Sequence, residues 1–106
     1  MAAGCSTGAQ GVAQVEKGNY TAADASFTKE YAEKPNNPIA QFNMADTHQR
    51  HGNTAAANSL YHEVAETGQN VRPGKLLEPH APGATMADAA CQHLRENGQS
   101  DPNCPI

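Results

Sequence analysis

Apolar residues recur along this chain every three or four positions, the spacing of helices buried on one side. Ala9, Val12 and Ala13 predict a first helix from Ser6 or Thr7 to Lys17, which Gly18-Asn19 ends in the manner of a left-handed cap. Thr21 caps a second helix whose inward stripe is Ala23, Phe27 and Tyr31. Pro35-Asn36-Asn37-Pro38 breaks the chain, and Pro38 suits the first turn of a third helix carrying Phe42, Met44, Ala45 and His48 and stopping at Gly52-Asn53. A fourth helix spans Thr54 to Thr67, buries Ala57, Leu60, Tyr61 and Val64, and ends at Gly68. Residues 69–84 hold Pro73, Gly74, Pro79, Pro82 and Gly83 and predict a loop, with Leu76-Leu77 tucked against neighbouring helices. Thr85-Met86-Ala87-Asp88 has the pattern of a capping box opening a last helix over 86–97, with Met86, Ala89, Ala90 and Leu94 on one face and Gly98 closing it. The fold class is all-α.

The elements repeat. Gly18-Asn19-Tyr20-Thr21-Ala22-Ala23 is echoed by Gly52-Asn53-Thr54-Ala55-Ala56-Ala57, an offset of 34 residues. At the same offset Gln10 matches Met44, Gly11 matches Ala45, Phe27 matches Tyr61 and Glu30 matches Val64. Each unit is therefore a helical hairpin, and the alanines at 23 and 57 let its two helices approach closely.

The period, the Gly-Asn-Tyr-x-x-Ala-Ala-x-x-x-Phe run from Gly18 to Phe27 and the Pro-Asn-Asn-Pro boundary resemble the tetratricopeptide repeat over residues 6–68. Thr7 and Gln10 depart from it, standing where the family has a large aromatic and a leucine. The resemblance implies a right-handed array of two hairpins used for protein binding, the first helix of each lining a concave groove. Carried onto this chain, the groove consists of Val12, Val15 and Glu16 from the first repeat and Phe42, Asp46, Gln49 and Arg50 from the second, with a place in the core as the alternative for Phe42. With Arg50 as its one cation, such a groove disfavours a clamp for a partner's terminal carboxylate. The helix over 86–97 is expected to cap the open edge of the last hairpin; the alternative is that it folds into the groove and occupies it. The organisation expected is a tail over 1–5, two hairpins over 6–68, a loop over 69–84, a helix over 85–97 and a tail over 98–106.

Composition limits the core. The chain has 106 residues and 19 alanines, but Leu, Ile, Val and Phe together number 12. A domain this poor in large apolar side chains is completed by a staple or a partner. With 7 Lys+Arg against 11 Asp+Glu, a net charge of −4 and scattered basic residues, it makes a poor nucleic-acid binder, and no run is long enough to cross a membrane.

The staple expected is a disulfide between Cys91 and Cys104; free thiols, or a metal site built with His93, are the alternatives. A disulfide implies an oxidising compartment. Cys5 is the odd cysteine, and Ala2-Ala3-Gly4-Cys5-Ser6 resembles the end of a bacterial lipoprotein signal, with Ala2 where that signal prefers Leu. The resemblance implies lipidation at Cys5 and a periplasmic, membrane-anchored protein, and an ordinary N-terminal tail is the alternative.

Candidate chemistry is sparse. His48 and His51 have a spacing that suits two metal ligands, but no general base stands between them; the expectation is a solvated face and no bound metal. Glu30, Glu33, Glu63 and Glu66 read as solvated faces as well. No nucleophile–histidine–acid grammar, phosphate loop or Cys-x-x-Cys pair is present, so neither catalysis, a cofactor nor a small-molecule substrate is expected. The leading function is a protein-interaction scaffold acting as an accessory subunit of a larger complex. A free-standing peptide receptor or assembly chaperone binding through Phe42 and Arg50 is the alternative, and a metal or redox module on His48, His51, Cys91 and Cys104 a third reading.

Overall fold

The computed structural model describes residues 7–73 and 84–104, with side chains from Gln10 onward. They form five helices: α1 (Thr7–Glu16), α2 (Tyr20–Glu33), α3 (Pro38–Arg50), α4 (Thr54–Thr67) and α5 (Met86–Glu96), with no strand among the described residues. Cys5, Leu76, Leu77 and His80 lie outside them.

Local sequence sets the helix ends. Gly18, Gly52 and Gly98 stand at φ of 78, 80 and 73°, the left-handed region that a β-carbon disfavours. The turn lets the next N–H reach back to an otherwise unpaired carbonyl: Asn19 to Gln14 at 2.8 Å, Asn53 to His48 at 2.9 Å and Gln99 to Leu94 at 2.8 Å. α1, α3 and α5 thus end in one way. Helix starts are more varied. Asn37 Oδ1 accepts the Ile39 N–H at 2.8 Å, just before Pro38 takes the first helical position. At α5 the Thr85 hydroxyl accepts from the Asp88 N–H at 3.2 Å, and Asp88 Oδ2 accepts from the Thr85 N–H at 2.9 Å, a complete capping box. For α2 the cap is Asn19 rather than Thr21: its Oδ1 accepts the Ala22 N–H at 3.4 Å, which starts the helix at Tyr20.

α1 packs on α2 and α3 on α4, each pair joined by a three-residue turn, over 17–19 and 51–53. α2 and α4 start and finish 34 residues apart, at Tyr20 and Thr54 and at Glu33 and Thr67. α2 also packs on α3, and α5 lies along α4 with lighter contact to α3. After α4 the chain stays close. The Met86 N–H donates to the Val71 carbonyl at 2.7 Å and the Ala87 N–H to the Gly68 carbonyl at 3.1 Å, so the start of α5 is tied to the end of α4.

The interior falls into two unequal parts. Val12, Ala23 and Phe27 form a small cluster inside the first hairpin, with Val15 against it. Phe42, Ala45, Ala57, Leu60, Tyr61, Val64, Ala65, Met86, Ala90, Cys91 and Leu94 form the larger one, shared by the second hairpin and α5. Cys91 and Cys104 are joined by a disulfide of 2.07 Å that closes the tail beyond α5 onto that helix. The bond is the expected one, and it leaves neither sulfur as the thiolate that the alternative, a metal site with His93, would need.

Close approach replaces bulk in the first hairpin. A β-carbon on Gly11 would lie 2.5 Å from the nearest ring carbon of Phe27, and Phe27 is fully buried. Gly11→Val is therefore expected to destabilise the protein by about 2 kcal/mol through overpacking, read as a lowered urea midpoint. Cys104→Ser is expected to cost about 3 kcal/mol, since the bond spans 13 residues of sequence, and the loss should match that caused by chemical reduction of the native protein.

Candidate functional site

The residues that line the expected groove do not remain together at the surface. Val12 and Phe42 are buried, Asp46 is 7% exposed, Val15 and Gln49 are half-buried, and Glu16 and Arg50 are exposed. Val12 is buried against Ala23 and Phe27 within the first hairpin, and on α3 the cause is α5, which brings His93 onto α3 and α4. The His93 ring stacks on Tyr61 with centroids 4.6 Å apart and an interplanar angle of 2°. Phe42 meets Tyr61 edge-on at 5.6 Å and His93 at 5.5 Å. Phe42 is thus a core residue joining three helices, not a groove residue.

A polar chain runs beside the rings. The Tyr61 hydroxyl donates to Asp46 Oδ1, and His93 Nε2 lies 3.7 Å from the same oxygen. Gln49 Nε2 is 3.5 Å from His93 Nδ1, and the Asn97 amide donates to Gln49 Oε1 and Asn58 Oδ1, both at 2.8 Å. Every described groove residue of α3 except Arg50 is therefore engaged by α4 or α5. These side chains hold helices together: each polar contact satisfies a group that burial would otherwise leave at a cost.

Arg50 turns instead toward α2. It donates to Asp24 Oδ1 at 2.9 Å and to the Thr47 hydroxyl at 3.3 Å, and its guanidinium sits 5.3 Å from the centre of the Tyr20 ring. His51 Nε2 pairs with Asp24 Oδ2 at 2.7 Å. Tyr20, Asp24, Arg50 and His51 line an open cleft of about 280 Å³, and Tyr20 is 51% exposed. Tyrosine and arginine are both enriched at the energetic centres of protein interfaces, and here a half-exposed tyrosine lies under an arginine.

A third cluster holds the tail. His62 Nδ1 pairs with Asp101 Oδ2, Gln69 Nε2 donates to Asn103 Oδ1 at 3.0 Å, and the Asn103 N–H donates to Asp101 Oδ1 at 2.7 Å. Burial pushes the Asp101 carboxyl up, but hydrogen bonds from His62 and the Asn103 backbone outweigh it and hold its pKa below the ordinary 3.8.

Other expected sites resolve differently. His48 is half-buried and His51 is occupied with Asp24, and no group of three metal-binding side chains exists among the described residues. Glu33, Glu63 and Glu66 are exposed as expected. Glu30 is not: it is buried between α2 and α3, where it accepts from Asn43 at 3.2 Å. The sequence signal was its alignment with Val64, which marks an inward position. His93, Tyr61 and Asn97 had no such signal as a group, because only the docking of α5 brings them together.

Tyr61→Phe deletes one hydroxyl from the buried chain and is expected to cost about 1–3 kcal/mol, measured by urea unfolding. A carboxyl with a lowered folded pKa adds stability that is present above the unfolded value and lost as pH falls through the folded one. Thermal unfolding followed downward from pH ~5 should show this loss below the ordinary 3.8 in the native protein, and Asp101→Asn should remove that component. Against family models, curated proteins and solved structures, the chain finds no match.

Proposed function

We propose that this chain is a non-catalytic protein-interaction scaffold of the tetratricopeptide type, acting as an accessory subunit of a larger periplasmic or membrane-associated complex. The observation that carries the reading is the pairing of two hairpins whose second helices keep a 34-residue offset at both ends, with the first helices closed by the same glycine turn. Such arrays present surface rather than chemistry. In keeping with this, the ionisable side chains that come closest to a catalytic grouping, Asp46, Tyr61 and His93, are buried and joined to one another across three helices.

The disulfide favours an oxidising compartment. No helix among the described residues is long and apolar enough to cross a membrane, so attachment in this reading goes through lipid on Cys5. The binding surface is moved from its expected place. With Phe42 buried, the exposed contacts are Tyr20, Arg50, His51 and Glu16, at the edge where α1, α2 and α3 turn.

Cross-linking with mass spectrometry on host membranes tests the reading. One dominant partner joined at Lys17, Lys29 or Lys34 is expected, and Tyr20→Ala with Arg50→Ala should weaken its capture at least tenfold without changing helical content. Many weak partners, with the protein released from membranes, would favour the transient receptor or chaperone. Recovery of no partner from host membranes would count against both.

A further inference from the structure

The two hairpins meet where α2 packs on α3, and a carboxyl lies in that joint. Glu30 stands where the second hairpin has Val64, 34 residues on. Val64 is fully buried, and Glu30 is only 6% exposed. Facing it, Asn43 is 1% exposed and donates its Nδ2–H to Glu30 Oε1 at 3.2 Å. The other half of that amide, Oδ1, is buried with no hydrogen-bond partner.

A carboxylate only accepts, so it can satisfy the Asn43 N–H and never its carbonyl. The neutral acid satisfies both, because a carboxylic acid and a primary amide close a ring of two hydrogen bonds. Burial pushes the Glu30 carboxyl above its ordinary 4.5, against the opposing pull of the Asn43 hydrogen bond and the Lys34 charge. Lys34 is the C-cap of α2, one turn beyond Glu30. Of the ionisable groups on α3, Asp46 is bonded to Tyr61, Arg50 to Asp24, and His48 stands five residues beyond Asn43. α1 carries a single ionisable side chain, Glu16, in its last turn beside the start of α2, about 15 Å along the helix axis from Glu30.

We propose that Glu30 and Asn43 form a proton-operated latch between the two hairpins. A proton taken from solvent onto Glu30 Oε2 is donated in a hydrogen bond to Asn43 Oδ1, which closes the second bond across the α2–α3 joint. Loss of that proton leaves a buried carboxylate beside an unpaired carbonyl and loosens the joint. The direction is fixed by linkage. A carboxyl whose folded pKa exceeds its unfolded one contributes stability that is complete below the unfolded value and lost as pH rises through the folded value. Acid tightens this joint, opposite in sign to the effect of Asp101 on the tail.

The test pairs a titration with a mimic. Carbon-13 NMR of the native protein reads the Glu30 side-chain carboxyl directly and should place its midpoint above 4.5. Glu30→Gln keeps both hydrogen bonds without a charge. Its melting temperature should exceed that of the native protein at pH ~8 by about 4 °C or more, and the gap should close as the pH is lowered to ~4.5. A Glu30 midpoint at or below 4.5 overturns the latch. So does a folded Glu30→Gln protein whose melting temperature follows the native pH profile throughout. If the variant fails to fold, the titration of the native protein decides alone.

Discussion

The second hairpin and α5 meet at Tyr61. Its ring is stacked on one face by His93 of α5 and met at an edge by Phe42 of α3, while its hydroxyl is fastened to Asp46. Three helices therefore converge on one residue of α4. In a chain with few large apolar side chains, the area buried by each aromatic ring counts for more, and concentrating three rings at one crossing gives the second hairpin and α5 a common interior. The first hairpin lacks such a centre. Its cluster of Val12, Ala23 and Phe27 relies on the absence of a side chain at Gly11, which lets α1 close on the Phe27 ring.

The same convergence settles which surfaces remain. α5 takes Phe42, Asp46 and Gln49 out of the face they would otherwise line, and the polar chain through Asn97 makes that docking specific in position as well as favourable in area. What stays open lies to the side, where Arg50 and Tyr20 stack over the cleft shared with Asp24 and His51. Beyond α5, the tail is held by one covalent bond and by weaker polar pairs to α4. Two carboxyls at separate joints are shifted in opposite directions: burial prevails at Glu30 between the hairpins, whereas at Asp101 in the tail the hydrogen bonds together outweigh it.

Helix positions were legible because they depend on neighbours in sequence. The three glycines that end α1, α3 and α5, the Asn37-Pro38 start and the Thr85–Asp88 box each act within one turn, and each was readable from a few residues. The disulfide was readable too, since the two late cysteines are close in sequence and the core is thin. The start of α2 was misread by two residues because Asn19 and Thr21 are both good caps, and the glycine turn before them favours the earlier one.

By itself, then, the sequence determined five helices, their pairing into hairpins at a 34-residue offset, and the staple that closes the tail, all set by local caps, turns and periodicity. Only the tertiary structure decided which faces are covered. The burial of Phe42 and Asp46, the stacking of His93 on Tyr61, and the enclosure of Glu30 opposite Asn43 depend on where one helix lies against another across many residues of chain. Periodicity marks a side chain as inward or outward on its own helix. It carries no record of the helix that arrives later to cover it, and here that helix is α5.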